Sequence, residues 1–335
     1  MNIVFLNTFE KVWAGESGAQ AQLSICEEEG VWSVIWTEGQ GEHGASGEQS
    51  IWFEGGSWEE MITAFRHGIA VQMGQGYVPL LDGMLDDRRI DNGKGNIFAM
   101  LQCYGEKNAN PILFDSLREW RRTRAAADKK SAYLIATNRV LWMISAYVPQ
   151  QLDELKQIPG WGETKQAAYG EDIIALTRTF QQTTSFPLDW VVEALDEHIF
   201  REWLLKQKEN RYKQQMEKQQ EKRALLGAIA AGRTLDELQA ELELPRRELL
   251  ERIERLDSEG YDLEPLIERE LEHVPESEQQ LVWDALIHVG DRYLKPLLHK
   301  VYGDESDVQG KPVDSLYDRL RLIRLRYRRT KGEAV

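Results

Sequence analysis

The chain has 335 residues, more than one core usually serves, so two or three domains are expected. With 42% hydrophobic and 29% charged side chains it reads as helix-rich, and no apolar run approaches the roughly 20 residues that span a bilayer. The formal net charge of −15 argues against a polyanion as partner of the whole chain, but residues 1–110 alone hold 6 basic and 16 acidic side chains, while 111–181 hold 10 and 8.

The N-terminal "MNIVFLNTFEKVW" lacks the basic n-region and small-residue cleavage site of a signal peptide. "QAQLSICEE" alternates Ala21, Leu23 and Ile25, and "VWSVIWTEG" puts Val31, Ser33, Ile35 and Thr37 on one side, so two strands joined at Glu29-Gly30 are expected. A glycine-rich loop, "GQGEHGASGEQ", leads to a third strand, "SIWFEG". Then "SWEEMITAFRHGIAVQM" begins with Ser57 and has Glu60 three residues on, the pattern of a capping box. Trp58, Met61, Ile62, Phe65 and Ile69 share one helical face. Residues 1–85 thus read as a small antiparallel sheet with a helix packed on it. Residues 86–110, rich in Asp, Asn and Gly around the short apolar "IFAMLQCY", read as a linker.

From 111 onward the pattern is helical. Leu113, Leu117 and Trp120 mark an apolar face. Asn138 can cap a helix with Leu141 and Ile144, Pro149 starts another, Gly160-Trp161-Gly162 breaks the chain, and 165–180 form a last helix. The phrases "LREWR", "AYLIATNRVLWMIS", "LDELKQIPGWGETKQAAYG" and the closing apolar helix closely resemble the HRDC domain, the helicase-and-RNase-D C-terminal module, over residues 111–181. The resemblance implies a five-helix bundle that binds single-stranded or branched DNA weakly, or binds protein partners. Candidate contacts are Arg118, Arg121 and Arg122 on the first helix, Lys129 and Lys130 after it, and Arg139, Trp161, Lys165 and Tyr169. A basic stripe such as Arg118 with Arg121/Arg122 equally fits a solvated face. "IPGWGETKQ" also suggests a helix-hairpin-helix, whose turn and helix N-terminus can meet a phosphate. The small residue that motif wants four positions after its second glycine is Gln166 here, and Glu163 opposes an anion.

Residues 182–222, which hold all but the last residue of "KQKENRYKQQMEKQQEKR", polar on every face, read as a solvent-bridging helix. In 223–331, Thr234 with Glu237 forms a second capping box and Pro245 opens a helix headed by Arg246 and Arg247, the rhythm of a helix-turn-helix. "YLKPL" and "YDRLRLIRLRY" are similar to the tail after the HRDC domain in bacterial RecQ helicases, which implies a winged-helix or helix-turn-helix-like domain. Leu316, Leu320, Ile323 and Tyr327 make its terminal apolar stripe, and Arg321, Arg324 and Arg328 line another face as candidate phosphate contacts. Acids between the two halves (Asp262, Glu264, Glu268, Glu270, Glu272) and the insertion "GDESDVQGKPVD" oppose tight DNA binding there.

The expected fold class is therefore mainly α, with an α+β N-terminal domain. Cys26 and Cys103 stand outside any C-x-x-C pattern, which suits the reducing cytosol and no cysteine zinc site. The six histidines show no metal-ligand spacing, His43 and Ser46 form no specific catalytic pattern, and no G-x-x-x-x-G-K-[ST] loop is present. No cofactor is expected. Four of the 11 tryptophans (Trp32, Trp36, Trp52, Trp58) gather in the sheet region, as core or as stacking platforms. The leading expectation is a non-catalytic, cytoplasmic DNA-binding protein of DNA repair, as in bacterial HRDC proteins without the helicase motor, partnered by single-stranded or branched DNA and by a helicase or nuclease, with no membrane. An adaptor docking through its acidic N-terminal domain is the alternative, and a nuclease within residues 1–110 a third.

Overall fold

The computed structural model describes residues 1–13, 16–39, 48–85, 94–303 and 313–333. The glycine-rich loop with His43 and Ser46, most of "DDRRIDNGKGN" and the insertion "GDESDVQGKPVD" lie outside the described residues. Two compact units are formed, Met1–Met216 and Glu217–Val335.

The first unit opens with strands β1 (Asn2–Trp13), β2 (Glu16–Glu28), β3 (Val31–Glu38), β4 (Glu48–Gly55) and β5 (Tyr77–Pro79), in the antiparallel order β4-β3-β2-β1-β5. The β2–β3 turn is Glu29-Gly30, whose φ values of +52° and +82° are the left-handed pair a two-residue hairpin needs. The Glu27 carboxylate accepts the Gly30 N–H at 2.8 Å and secures it. Strand alternation turns Leu23, Ile25, Val34 and Trp36 inward, so the set Val31, Ser33, Ile35 and Thr37 is the outer one.

Helix α1 (Trp58–Gly74) starts at Ser57, whose hydroxyl accepts the Glu60 N–H, and buries Met61, Phe65 and Ile69 against the sheet. Trp36 sits at the centre of this core, its ring 5.0 Å from Phe9 and 5.2 Å from both Trp52 and Tyr77. Trp36 and its neighbours are therefore packing groups rather than stacking platforms.

Helix α2 (Lys94–Lys107) corrects the expectation of a linker over 86–110. Its Leu101 and Cys103 are buried, and Gly105 lies so close to the next layer that a Cβ there would meet Met143 Cγ at 2.6 Å. The apolar "IFAMLQCY" gives that helix a face to bury, which outweighs the loop-forming residues before it. The bundle continues with α3 (Pro111–Ala127), α4 (Ala132–Ile135), α5 (Asn138–Tyr147), α6 (Leu152–Leu155) and α7 (Glu163–Thr177), around Leu113, Leu117, Ile135, Leu141, Ile144 and Ile173. Asn110 caps α3 through its side chain, and Thr137, one residue before the expected Asn138, caps α5. These are the five helices the resemblance implied.

After a short helix, α8 (Val191–Ala194), comes α9 (Glu197–Ala230), which is less polar in effect than its sequence. Phe200 and Trp203 pack with Cys103, and Leu205 and Tyr212 join the sheet core, Tyr212 being only 1% exposed. The expectation of a helix solvated on every face is corrected by that one aromatic residue.

The second unit takes Leu225 and Ile229 from the end of α9 and adds α10 (Leu235–Leu242), α11 (Arg246–Ser258), α12 (Glu264–Leu271), α13 (Glu276–Val289), α14 (Leu294–Tyr302) and α15 (Val313–Glu333). Thr234 and Glu237 complete their capping box in both directions. Leu316, Leu320 and Ile323 of α15 are buried in a core fed by all these helices. Its described residues form helices and no strand, so the wing of a winged helix is not among them.

One glycine marks the tightest contact of the sheet layer. A Cβ at Gly68 would stand 2.1 Å from the Trp52 ring. Gly68→Ala is therefore expected to destabilise the first unit by about 1–3 kcal/mol despite the better helix propensity of alanine. Denaturant unfolding followed by tryptophan fluorescence reads this, and an unchanged or raised midpoint would contradict the packing.

Candidate nucleic-acid interface

The bundle presents one sizeable groove, about 1030 Å³, between α2, the α3–α4–α5 corner and the turn before α7. Arg121 and Arg139 line it, and among the described residues no carboxylate does. Arg121 reaches from α3 and donates from Nη1 to the Ala136 carbonyl at 2.8 Å. Burial, and then the nearby Arg118, lower its pKa, yet a guanidinium stays cationic under these conditions. Arg139, on the first turn of α5, is exposed and holds Gln207 Oε1 at 3.3 Å.

Aromatic rings stand beside these charges. Tyr133, on α4, is 65% exposed, and Phe98, on α2, is 52% exposed. Trp142 also lines the groove and stacks on Phe114 at 5.9 Å. The Arg118 guanidinium covers the outer Phe114 ring at 5.8 Å while pairing with Asp115 at 3.3 Å. Cations next to solvent-facing rings are what an unpaired strand needs: charge for its phosphates and faces for its bases.

The turn "IPGWGETK" closes one end. Gly160, with φ of +85°, lines the groove and packs on Val140, where a Cβ would sit 3.0 Å from Cγ2. The Lys165 ammonium donates to the Gly160 carbonyl at 3.3 Å and so brings a third cation to that end. Lys129 and Lys130 precede the groove residues Ala132 and Tyr133 in the chain, and Lys130 lies 4.0 Å from Asp128. Arg122 points elsewhere and pairs with Glu119 at 3.1 Å.

Two expected contacts are corrected. Trp161 is 3% exposed, its indole N–H donating to Gln166 Oε1 at 2.8 Å, so it is core and cannot stack on a base. Tyr169 is likewise buried, with its hydroxyl donating to Asp128 at 2.7 Å and its ring edge-on to Trp120. Conversely, Phe98, Tyr133, Trp142, Gln102 and Asn138 line the groove without having stood out as contacts in the sequence. Tyr133 stood within a quoted phrase, "AYLIATNRVLWMIS", but nothing in its spacing separated it from core aromatics.

The candidate arginines of the second unit are matched by acids. Arg246 bridges Asp236 and Asp318, each at 2.9 Å, and Arg247 pairs with Glu251 at 3.0 Å on the surface. Glu254 takes both Arg321 at 3.1 Å and Arg324 at 2.8 Å. Arg324 is 6% exposed, which corrects its reading as a phosphate contact, since it cannot reach a strand without leaving the core. Arg328 holds Asp291 at 2.9 Å, and that bond keeps the Asp291 carboxyl below the ordinary aspartate range. α15 is thus tied to its neighbours by the charges that had suggested an anion-binding face.

Among the described residues no group of three His, Cys, Asp or Glu could hold a metal ion, and no helix is long and apolar enough to cross a membrane. Residues 112–177 match the family model of the HRDC domain, a nucleic-acid-binding module. No curated protein and no solved structure matches the chain.

Removing one partner of a buried pair leaves the other charge uncompensated. Glu254→Ala, which strands Arg324, is expected to cost on the order of 3 kcal/mol. Arg139→Ala, an exposed change, should stay within about 0.5 kcal/mol of the parent. Urea unfolding of the two variants separates a strut from a surface cation, and equal effects would contradict the assignment.

Proposed function

We propose that this protein is a non-catalytic nucleic-acid-binding protein that holds single-stranded or branched DNA weakly at the groove of its HRDC module. The observation that carries the reading is the groove itself: Arg121 and Arg139 beside exposed rings, without a carboxylate among the described residues, in a chain of net charge −15. A strand would lay phosphates along Arg139, Arg121 and Lys165 and turn bases toward Tyr133 and Trp142. The acidic remainder repels the same strand, so affinity is low and falls steeply with salt. A role in DNA repair or recombination, delivering a helicase or nuclease to such DNA, fits a binding module without a motor sequence.

A second reading is supported by the sheet. On its face opposite α1, Leu6, Ser24, Ile35 and Ile51 align across four strands, with Leu6 49% and Ile51 62% exposed. Aliphatic side chains left open in so acidic a segment suit an adaptor surface for another protein.

Polarisation titrations with labelled single-stranded and forked oligonucleotides decide between them. Dissociation constants on the order of micromolar are expected at low salt, with a log–log salt slope of about 2 for three phosphate contacts. Arg139→Ala should weaken binding about threefold to fivefold and lower that slope. Absence of binding at about 100 μM protein, where even non-specific complexes form, would overturn the nucleic-acid reading, and a stoichiometric co-purifying protein would then favour the adaptor.

A further inference from the structure

The groove has a wall that the HRDC match does not include. Phe98 and Gln102 belong to α2, which precedes residues 112–177, yet both face the same space as Tyr133, Asn138 and Arg139. Phe98 leaves about half its surface in solvent although its neighbours Leu101 and Cys103 are buried. A phenylalanine has no polar tip to satisfy, so an exposed ring lining the same groove as two guanidinium groups suits a flat, apolar-faced group attached to an anion. A nucleobase on its phosphodiester chain is such a group. In the same groove, Gln102 and Asn138 each carry a carboxamide, which donates and accepts hydrogen bonds as a base edge does.

Resting on the nucleic-acid reading above, we infer that α2 converts the groove into a pocket for one unstacked nucleobase, with Phe98 as an aromatic wall and the Gln102 and Asn138 amides at its edge. Arg121 and Arg139 then hold the flanking phosphates. Because a base within a duplex is stacked on both faces, the pocket favours single strands and frayed junctions over intact duplex.

The test uses the full chain and two single-stranded oligonucleotides of equal length and charge, one complete and one with abasic sites at its centre. The parent protein is expected to bind the abasic strand at least about fivefold more weakly, the size of one lost base–aromatic stack. Phe98→Ala should weaken binding of the complete strand about fivefold, narrowing the abasic penalty to the share owed to Tyr133 and Trp142, and leave the abasic strand unchanged. Since Phe98 is exposed, an unaltered thermal unfolding midpoint confirms that the variant is folded, and Phe98→Trp should restore the difference. Equal binding of both strands by the parent, or an abasic penalty that Phe98→Ala leaves undiminished, would overturn the pocket while leaving phosphate binding intact. No salt-dependent binding of either strand would remove both the pocket and the reading beneath it.

Discussion

The close approach of α2 to α5 is the contact on which the candidate site depends. It is possible because residue 105 has no side chain: a Cβ there would meet the backbone and Cγ of Met143 within 3.0 Å. With the helices so near, Leu101 and Cys103 are buried, the Tyr147 hydroxyl donates to the Leu101 carbonyl at 3.0 Å, and Tyr104 stacks on Tyr147 at 5.5 Å. Burial pushes the Tyr147 phenol far above its ordinary range and raises that of Tyr104, so both stay neutral in this layer. Once α2 is fixed in this way, its other side is committed to forming a wall, and the groove follows from that.

Charge is distributed by the same logic of satisfaction. Nearly every arginine of the terminal helix meets a carboxylate of α11, α12 or α13 or of the segment beside it, as in Arg326–Glu264, Arg329–Asp257 and Arg319–Glu278. Such pairs fix the packing of a helix more than they stabilise it, because burial of both charges offsets their attraction. Around the groove the balance differs: Arg121 is held by a backbone carbonyl and Arg139 by an amide, neutral acceptors that orient a guanidinium without cancelling it. A basic count in the sequence does not distinguish these two situations, and the geometry does.

That contrast explains how far the sequence could be read. Residues whose role is local were legible: the Ser57 and Thr234 caps, the Glu29-Gly30 turn, and the apolar spacing of α1, α3 and α15. The HRDC resemblance, carried by several phrases across about 70 residues, located the bundle. Residues whose role is set by distant neighbours were not legible. Arg324 and Arg321 were indistinguishable from surface cations until Glu254, some 70 positions away, was seen between them. Trp161 and Tyr169 sat in the motif but inside the fold, while Phe98 was hidden in a stretch whose Asp, Asn and Gly content outweighed one apolar phrase.

The proposed binding mode lays a single strand in the groove of the bundle. Photocrosslinking a 5-iodouracil-substituted oligonucleotide to the full chain, followed by peptide mass spectrometry, places the bound bases directly. Adducts are expected on Tyr133 and Trp142, with a further adduct on Phe98. Adducts confined to the second unit or to the sheet, with the groove peptides unmodified, would contradict it.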